Sequence, residues 1–210
     1  MITTHALARR AAEGDPDAQF RLGYRSVFRR SCQPDWPRAV ALWRSASHHG
    51  HLRATFYLAT CYDFAQGTSR NLRRAAVLYR AAALGGHAVA QYNLALLYRD
   101  GSGVRRSRSA AVRWFRLAAA QGDAPAQRDL GFCLHEGLGV RKDHRAAAQW
   151  YRKAARQGDV KAQFNLALCY LEGHGVPRSV SKALSWASKA AHRRHAAAIA
   201  LRHRLKSGAA

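Results

Sequence analysis

Glycine returns every 36 residues along this chain, at Gly14, Gly50, Gly86, Gly122 and Gly158, without slippage. Leucine keeps the same interval at Leu22, Leu58, Leu94, Leu130 and Leu166, and alanine at Ala18, Ala54, Ala90, Ala126 and Ala162. A second set marks the other half of the interval: Ala39, Ala75, Ala111, Ala147 and Ala183, with Trp43, Tyr79, Phe115 and Tyr151 four residues beyond the first four. A period in this range belongs to stacked two-helix units, each burying its apolar stripe against its neighbours. The expected architecture is therefore all-α, a solenoid of five helix-turn-helix units at about 14–49, 50–85, 86–121, 122–157 and 158–193. A starter helix at 3–13 and a cap helix at 195–206 are expected to close the ends of one domain spanning 3–206.

Each unit divides into a first helix, A, and a second, B. Helix A opens after the periodic glycine, which suits the left-handed residue that ends the preceding helix B. Asp15, Asp123 and Asp159 then stand as its N-caps. Ala162, Leu166 and Tyr170, with Gln163 and Ala167 beside them, form one helical stripe. The small residue after each periodic leucine (Gly23, Ala59, Ala95, Gly131, Ala167) permits close approach of a neighbouring helix. The turn between helices reads Gly101-Ser-Gly103-Val104, Gly137-Leu-Gly139-Val140 and Gly173-His-Gly175-Val176. Asp35, Asn71, Ser107, Asp143 and Ser179 follow as caps of helix B, which is expected to bury Ala39, Leu42, Trp43 and Ala46 or their equivalents. The first unit is irregular: Arg29-Arg30-Ser31-Cys32 replaces the double-glycine turn, and Pro34 and Pro37 frame Trp36.

The Leu-small-x-x-Tyr segments Leu94–Tyr98 and Leu166–Tyr170 resemble a tetratricopeptide repeat, which is about 34 residues long. The longer turn, the Gly-x-Gly-Val motif, the Ala-Gln-x-x-Leu opening and the Trp-Tyr-Arg-Lys-Ala-Ala close at Trp150–Ala155 resemble the Sel-1-like repeat family over nearly the whole chain. That resemblance implies a right-handed α-superhelix with helices A on its concave face. It also implies a scaffold or adaptor for other proteins, and not an enzyme.

Charge narrows the partners. Lys and Arg number 35 against 12 Asp and Glu, a formal net charge of +23, which favours an acidic protein, nucleic acid or an anionic membrane. The four cysteines do not form a disulfide framework: Cys61, Cys133 and Cys169 share one repeat position. Equivalent positions in successive packed helices lie about 9–10 Å apart, beyond the reach of a disulfide. They are expected as small apolar residues, with Cys32 a free thiol in a loop. Met1–Arg10 holds no apolar run of signal-peptide length and no window suits a membrane span, so a reducing cytoplasm is expected.

Motifs for chemistry are sparse. The Gly-x-Gly pairs lack a third glycine and a preceding strand, so they are turn glycines and not a nucleotide loop. His48-His49-Gly50-His51 spans a helix end without the spaced Cys, Asp or Glu of a tetrahedral site. No metal, cofactor or catalytic residue is expected. The candidates are surfaces. Helix A positions pointing away from the buried stripe are Arg21, Tyr24, Phe28, Arg53, Tyr57, Phe64, Asn93, Asp129, Phe132 and Asn165. In the groove they would line, a peptide or protein segment is expected to bury apolar groups against Tyr24, Tyr57 and Phe132 and pair carboxylates with Arg21 and Arg53. The alternative is a ladder on helix B, Arg44, Arg80, Arg116 and Arg152, with Arg38, Arg74 and Lys182 beside it, tracking phosphates or an anionic membrane.

Overall fold

The structure is a computed structural model that describes residues 4–29 and 33–207. The expected loop thiol Cys32, most of the irregular first turn and the carboxy-terminal 208–210 lie outside the described residues. Among the described residues there are twelve helices and no strand. The chain divides into two compact units, Met1–Arg106 and Ser107–Ala210.

The first unit holds α1 (Thr4–Ala12), α2 (Pro16–Phe28), α3 (Trp36–His48), α4 (Leu52–Phe64), α5 (Leu72–Leu84) and α6 (Ala88–Asp100). The second holds α7 (Arg108–Ala120), α8 (Ala124–Glu136), α9 (His144–Arg156), α10 (Val160–Glu172), α11 (Val180–His192) and α12 (Ala196–Lys206). Helices α2, α4, α6, α8 and α10 are helices A; α3, α5, α7, α9 and α11 are helices B. All ten are 13 residues long.

The periodic residues form the core. Trp43, Tyr79, Phe115, Leu94, Leu130 and Leu166 are among the largest fully buried side chains. Leu42 departs from expectation: it is half-buried, packed against the cluster of Leu7, Ala11, Ala18 and Leu22. The Ala-Gln opening also has a physical role. Nε2 of Gln91 donates to the Ala83 carbonyl at 3.0 Å and that of Gln127 to the Ala119 carbonyl at 3.1 Å, stitching helix A to the end of the preceding helix B.

Asp15, Asp123 and Asp159 cap helices A as expected, accepting from the amides of Ala18, Ala126 and Ala162. The same position is held in α4, α6 and α12 by His51, His87 and His195. Their Nδ1 atoms accept from the amides of Ala54, Ala90 and Ala198 at 3.1, 3.2 and 3.3 Å.

The two turn glycines do different work. The first ends helix A in the left-handed region, at φ 76° for Gly137 and 78° for Gly173. The second lets the turn nest on the first residue of the preceding repeat's helix B: a Cβ at Gly139 would stand 2.4 Å from the Arg108 carbonyl carbon, and at Gly175 2.0 Å from the His144 oxygen. The degenerate turn after α4 shows which is indispensable. Ala65 takes the left-handed position at φ 58°, at a cost of about 1–2 kcal/mol. Gly67 survives because its Cβ would meet the Trp36 carbonyl carbon at 2.5 Å.

Cys61, Cys133 and Cys169 are free and buried. Burial pushes the thiol of Cys61 up to about 12 and that of Cys169 up to about 11, away from reactive thiolate character. Among the described residues no helix is long and apolar enough to cross a membrane.

Candidate functional site

Helices α2 and α4 build an aromatic face in the first unit. Phe20, Tyr24 and Phe28 recur at four-residue spacing, so they share one side of α2. Tyr24 and Phe28 lie 4.6 Å apart between ring centroids, and Tyr57 of α4 meets them at 5.7 and 6.0 Å. Phe28 also meets Trp36 edge-on at 6.0 Å. Tyr24 and Phe28 remain 39% and 47% exposed, whereas Tyr57 is half-buried and Phe20 buried. Burial, with Tyr24 adding to it, raises the Tyr57 phenol above its ordinary value.

The expected cations beside these rings are engaged internally. Arg21 pairs with Asp17 at 2.9 Å, one turn back. Arg53 lies over the Phe20 ring, 4.8 Å from its centroid. The exposed arginines that border Tyr24 and Phe28 are Arg25 and Arg29, around a cavity of about 300 Å³. Phe64 is 66% exposed at the end of α4. Asn93 stands beside the Tyr79 hydroxyl, which donates to Asp63 at 3.2 Å.

In the second unit Phe132 and Asn165 line a cavity of about 160 Å³ together with Glu136, Leu168 and Glu172. Asp129 does not open onto a free surface. It is half-buried and paired at 2.7 Å with Arg128, which also reaches Asp159 at 3.0 Å.

At the edge of this cavity the structure brings together three histidines that their positions in the sequence did not single out. His135 lies in the last turn of α8, His144 opens α9, and His174 sits in the α10–α11 turn. Their ligating atoms all lie within 4.8 Å of one another. His144 and His174 stack at 4.8 Å and 16°, and His135 Nε2 is 3.4 Å from His174 Nδ1. Burial, followed by the neighbouring His135 and His174, lowers the pKa of His144. The only sequence signal is positional, since His174 occupies the variable place between the two turn glycines. The histidines that the sequence does bring together serve locally: His51 caps α4 and stacks on Phe20 at 4.7 Å, and His49 donates to the Ser45 carbonyl at 2.9 Å.

On helices B the first and last rungs of the ladder, Arg44 and Arg152, are anchored. Arg44 donates to the Tyr62 hydroxyl at 3.3 Å while Arg74 lies 5.6 Å from the same ring's centroid. Three repeats on, Arg152 donates to the Tyr170 hydroxyl at 3.1 Å and Lys182 lies 5.5 Å from that ring's centroid. Around Tyr62 a cavity of about 610 Å³ is lined by Arg44, His48, Leu58, Arg73 and Val77. Arg80 and Arg116 are exposed.

The model of the Sel1 repeat matches residues 16–51, 52–87, 88–123, 124–159 and 160–195. Among solved structures, the chain is similar to c5321, a protective antigen of uropathogenic Escherichia coli with an SLR fold, at 34% identity and a TM-score of 0.88. It is covered over 92% by that match but spans only 41% of the antigen's length. A Sel1 repeat protein from Oxalobacter formigenes is 30% identical over 97% of this chain and 79% of its own, with a TM-score of 0.83. An immunity protein of Pseudomonas aeruginosa, PA5088, shares the fold alone, at 24% identity over 84% of this chain and 64% of its own and a TM-score of 0.52. Among curated proteins no significant relative is found. Five matched repeats, the nested turns and the α-solenoid relatives together place the chain in the Sel1 repeat family.

Proposed function

We propose that the chain is a non-enzymatic scaffold holding an acidic segment of another protein, with apolar anchors, against the aromatic face of α2 and α4. Sel1 repeat proteins are commonly protein–protein interaction scaffolds. The observation that supports this face is the continuity of exposed Tyr24 and Phe28 with Tyr57, bordered by Arg25 and Arg29. Tyrosine and arginine are the side chains most often found as binding hot spots, and large exposed rings are costly unless a partner covers them. The charge of +23 steers an acidic partner toward the chain. Arg25 and Arg29 replace Arg21 and Arg53 as the cations offered to its carboxylates.

The test is cross-linked capture from nuclease-treated native lysate by the unaltered chain, a Tyr24→Ala/Phe28→Ala variant and an Arg44→Glu/Arg80→Glu variant. Capture of a defined protein, lost in the ring variant and kept in the ladder variant, is expected. Binding that needs nucleic acid or lipid, falls steeply with salt and is lost only in the ladder variant would replace this reading with the electrostatic one.

A further inference from the structure

We propose that His135, His144 and His174 form a binding site for one divalent transition-metal ion, of which zinc is the best suited. A tetrahedral zinc site with Zn–N bonds of about 2.0–2.1 Å sets its nitrogens roughly 3.3 Å apart. His135 Nε2 and His174 Nδ1 already stand at 3.4 Å, and one ring nitrogen from each of the three histidines lies within 4.8 Å of the others. Small side-chain rotations close the remaining gap, because each ring sits on its own segment, the end of α8, the start of α9 and the α10–α11 turn.

Two further observations point to a ligand. His144 Nδ1 is buried without a hydrogen-bond partner, a state that costs about 1–3 kcal/mol unless something fills the valence. His135 Nδ1 donates to Glu136 at 2.9 Å, which fixes its tautomer and leaves Nε2 with its lone pair toward the other rings. That carboxylate-histidine pairing is the outer-shell arrangement that orients metal-binding imidazoles. Glu172 stands 3.1 Å from His174 Nδ1. Without the ion His174 Nδ1–H donates to Glu172; binding displaces that proton to solvent, so Nδ1 becomes a ligand and Glu172 supplies countercharge beside it. In a chain with only 12 acidic residues, two carboxylates against one histidine cluster meet what a bound dication requires.

The backbone holds the site in place. Because Gly175 has no side chain, the α10–α11 turn lies directly on the His144 carbonyl, and this nesting brings His174 onto the His144 ring. An all-imidazole set suits zinc, copper or nickel more than calcium or magnesium. The fourth position falls to water or to Glu172.

The experiment uses the full chain without added histidines, stripped with chelator and titrated with Zn²⁺ by calorimetry and with Co²⁺ by visible absorption. One tight equivalent of Zn²⁺ and the d–d bands of four-coordinate Co²⁺ are expected, together with a rise in melting temperature on adding Zn²⁺. His174→Ala and His144→Ala should each abolish the tight equivalent, and Glu136→Gln should weaken it about 10–100-fold. A His48→Ala/His49→Ala variant should bind as the unaltered chain does. Circular dichroism checks the fold of each variant, and His174→Asn, in a half-buried turn outside the helices, substitutes for any variant that unfolds. Absence of a tight equivalent, or its persistence in the folded triple variant lacking all three histidines, overturns the site.

Discussion

Single side chains decide how each helix begins. The aspartate caps were legible because Asp is a preferred N-cap residue; the histidine caps were not, since histidine carries no such preference. Only their register, 36 residues from an aspartate or from each other, marks them. A histidine cap works only when neutral: protonating Nδ1 removes the acceptor and puts a cation at the positive end of the helix dipole. For His87, burial and then the Arg53 charge lower the folded-state pKa. The sign follows. Above about pH 6.5 the ring is neutral in both states and the cap is intact; as pH falls, the unfolded chain takes the proton first, and stability is lost on passing down through the folded pKa. Melting temperature should therefore drop between pH 7.5 and 5.5. His87→Asp should flatten part of that slope, and His87→Ala should cost about 1 kcal/mol at pH 7.5. An unchanged slope in the aspartate variant would show that this cap does not titrate as argued.

At the level of helices and turns, the two turn glycines should be separable by mutation. Gly173→Ala meets nothing closer than 3.7 Å, so it should cost only the left-handed backbone, about 1–2 kcal/mol. Gly175→Ala drives a methyl into the His144 carbonyl. It should cost clearly more in urea denaturation, and equal costs would contradict the nesting. Helix faces give a parallel contrast. Leu130, fully buried, should lose about 2–5 kcal/mol on change to alanine. Leu84, 69% exposed in α5, should lose no more than about 0.5 kcal/mol. Leu130 belongs to the 36-residue leucine series and Leu84 does not. The apolar period did not foresee that Arg21 would turn back to Asp17 or that Arg53 would cover Phe20, because both are choices among rotamers of long side chains on an exposed face.

Over the whole chain the dominant quantity is the charge of +23. Self-repulsion of that size destabilises the folded state and is screened by salt. Raising NaCl from 0.05 to 0.5 M should lift the melting temperature by roughly 2–4 °C, the shift that about 1 kcal/mol produces in a chain of this length; a fall would show that attractive ion pairs outweigh the repulsion. The five repeats, the all-helical fold and the family were legible in the sequence alone, because each rests on residue types that return at one interval. The meeting of His135, His144 and His174, and the clasp of Arg44 and Arg74 around Tyr62, were decided only by tertiary structure. They join residues of different helices and turns, as with the 39 positions between His135 and His174. No single unit's pattern encodes such a meeting; it arises when a glycine turn settles onto the helix of the repeat before it.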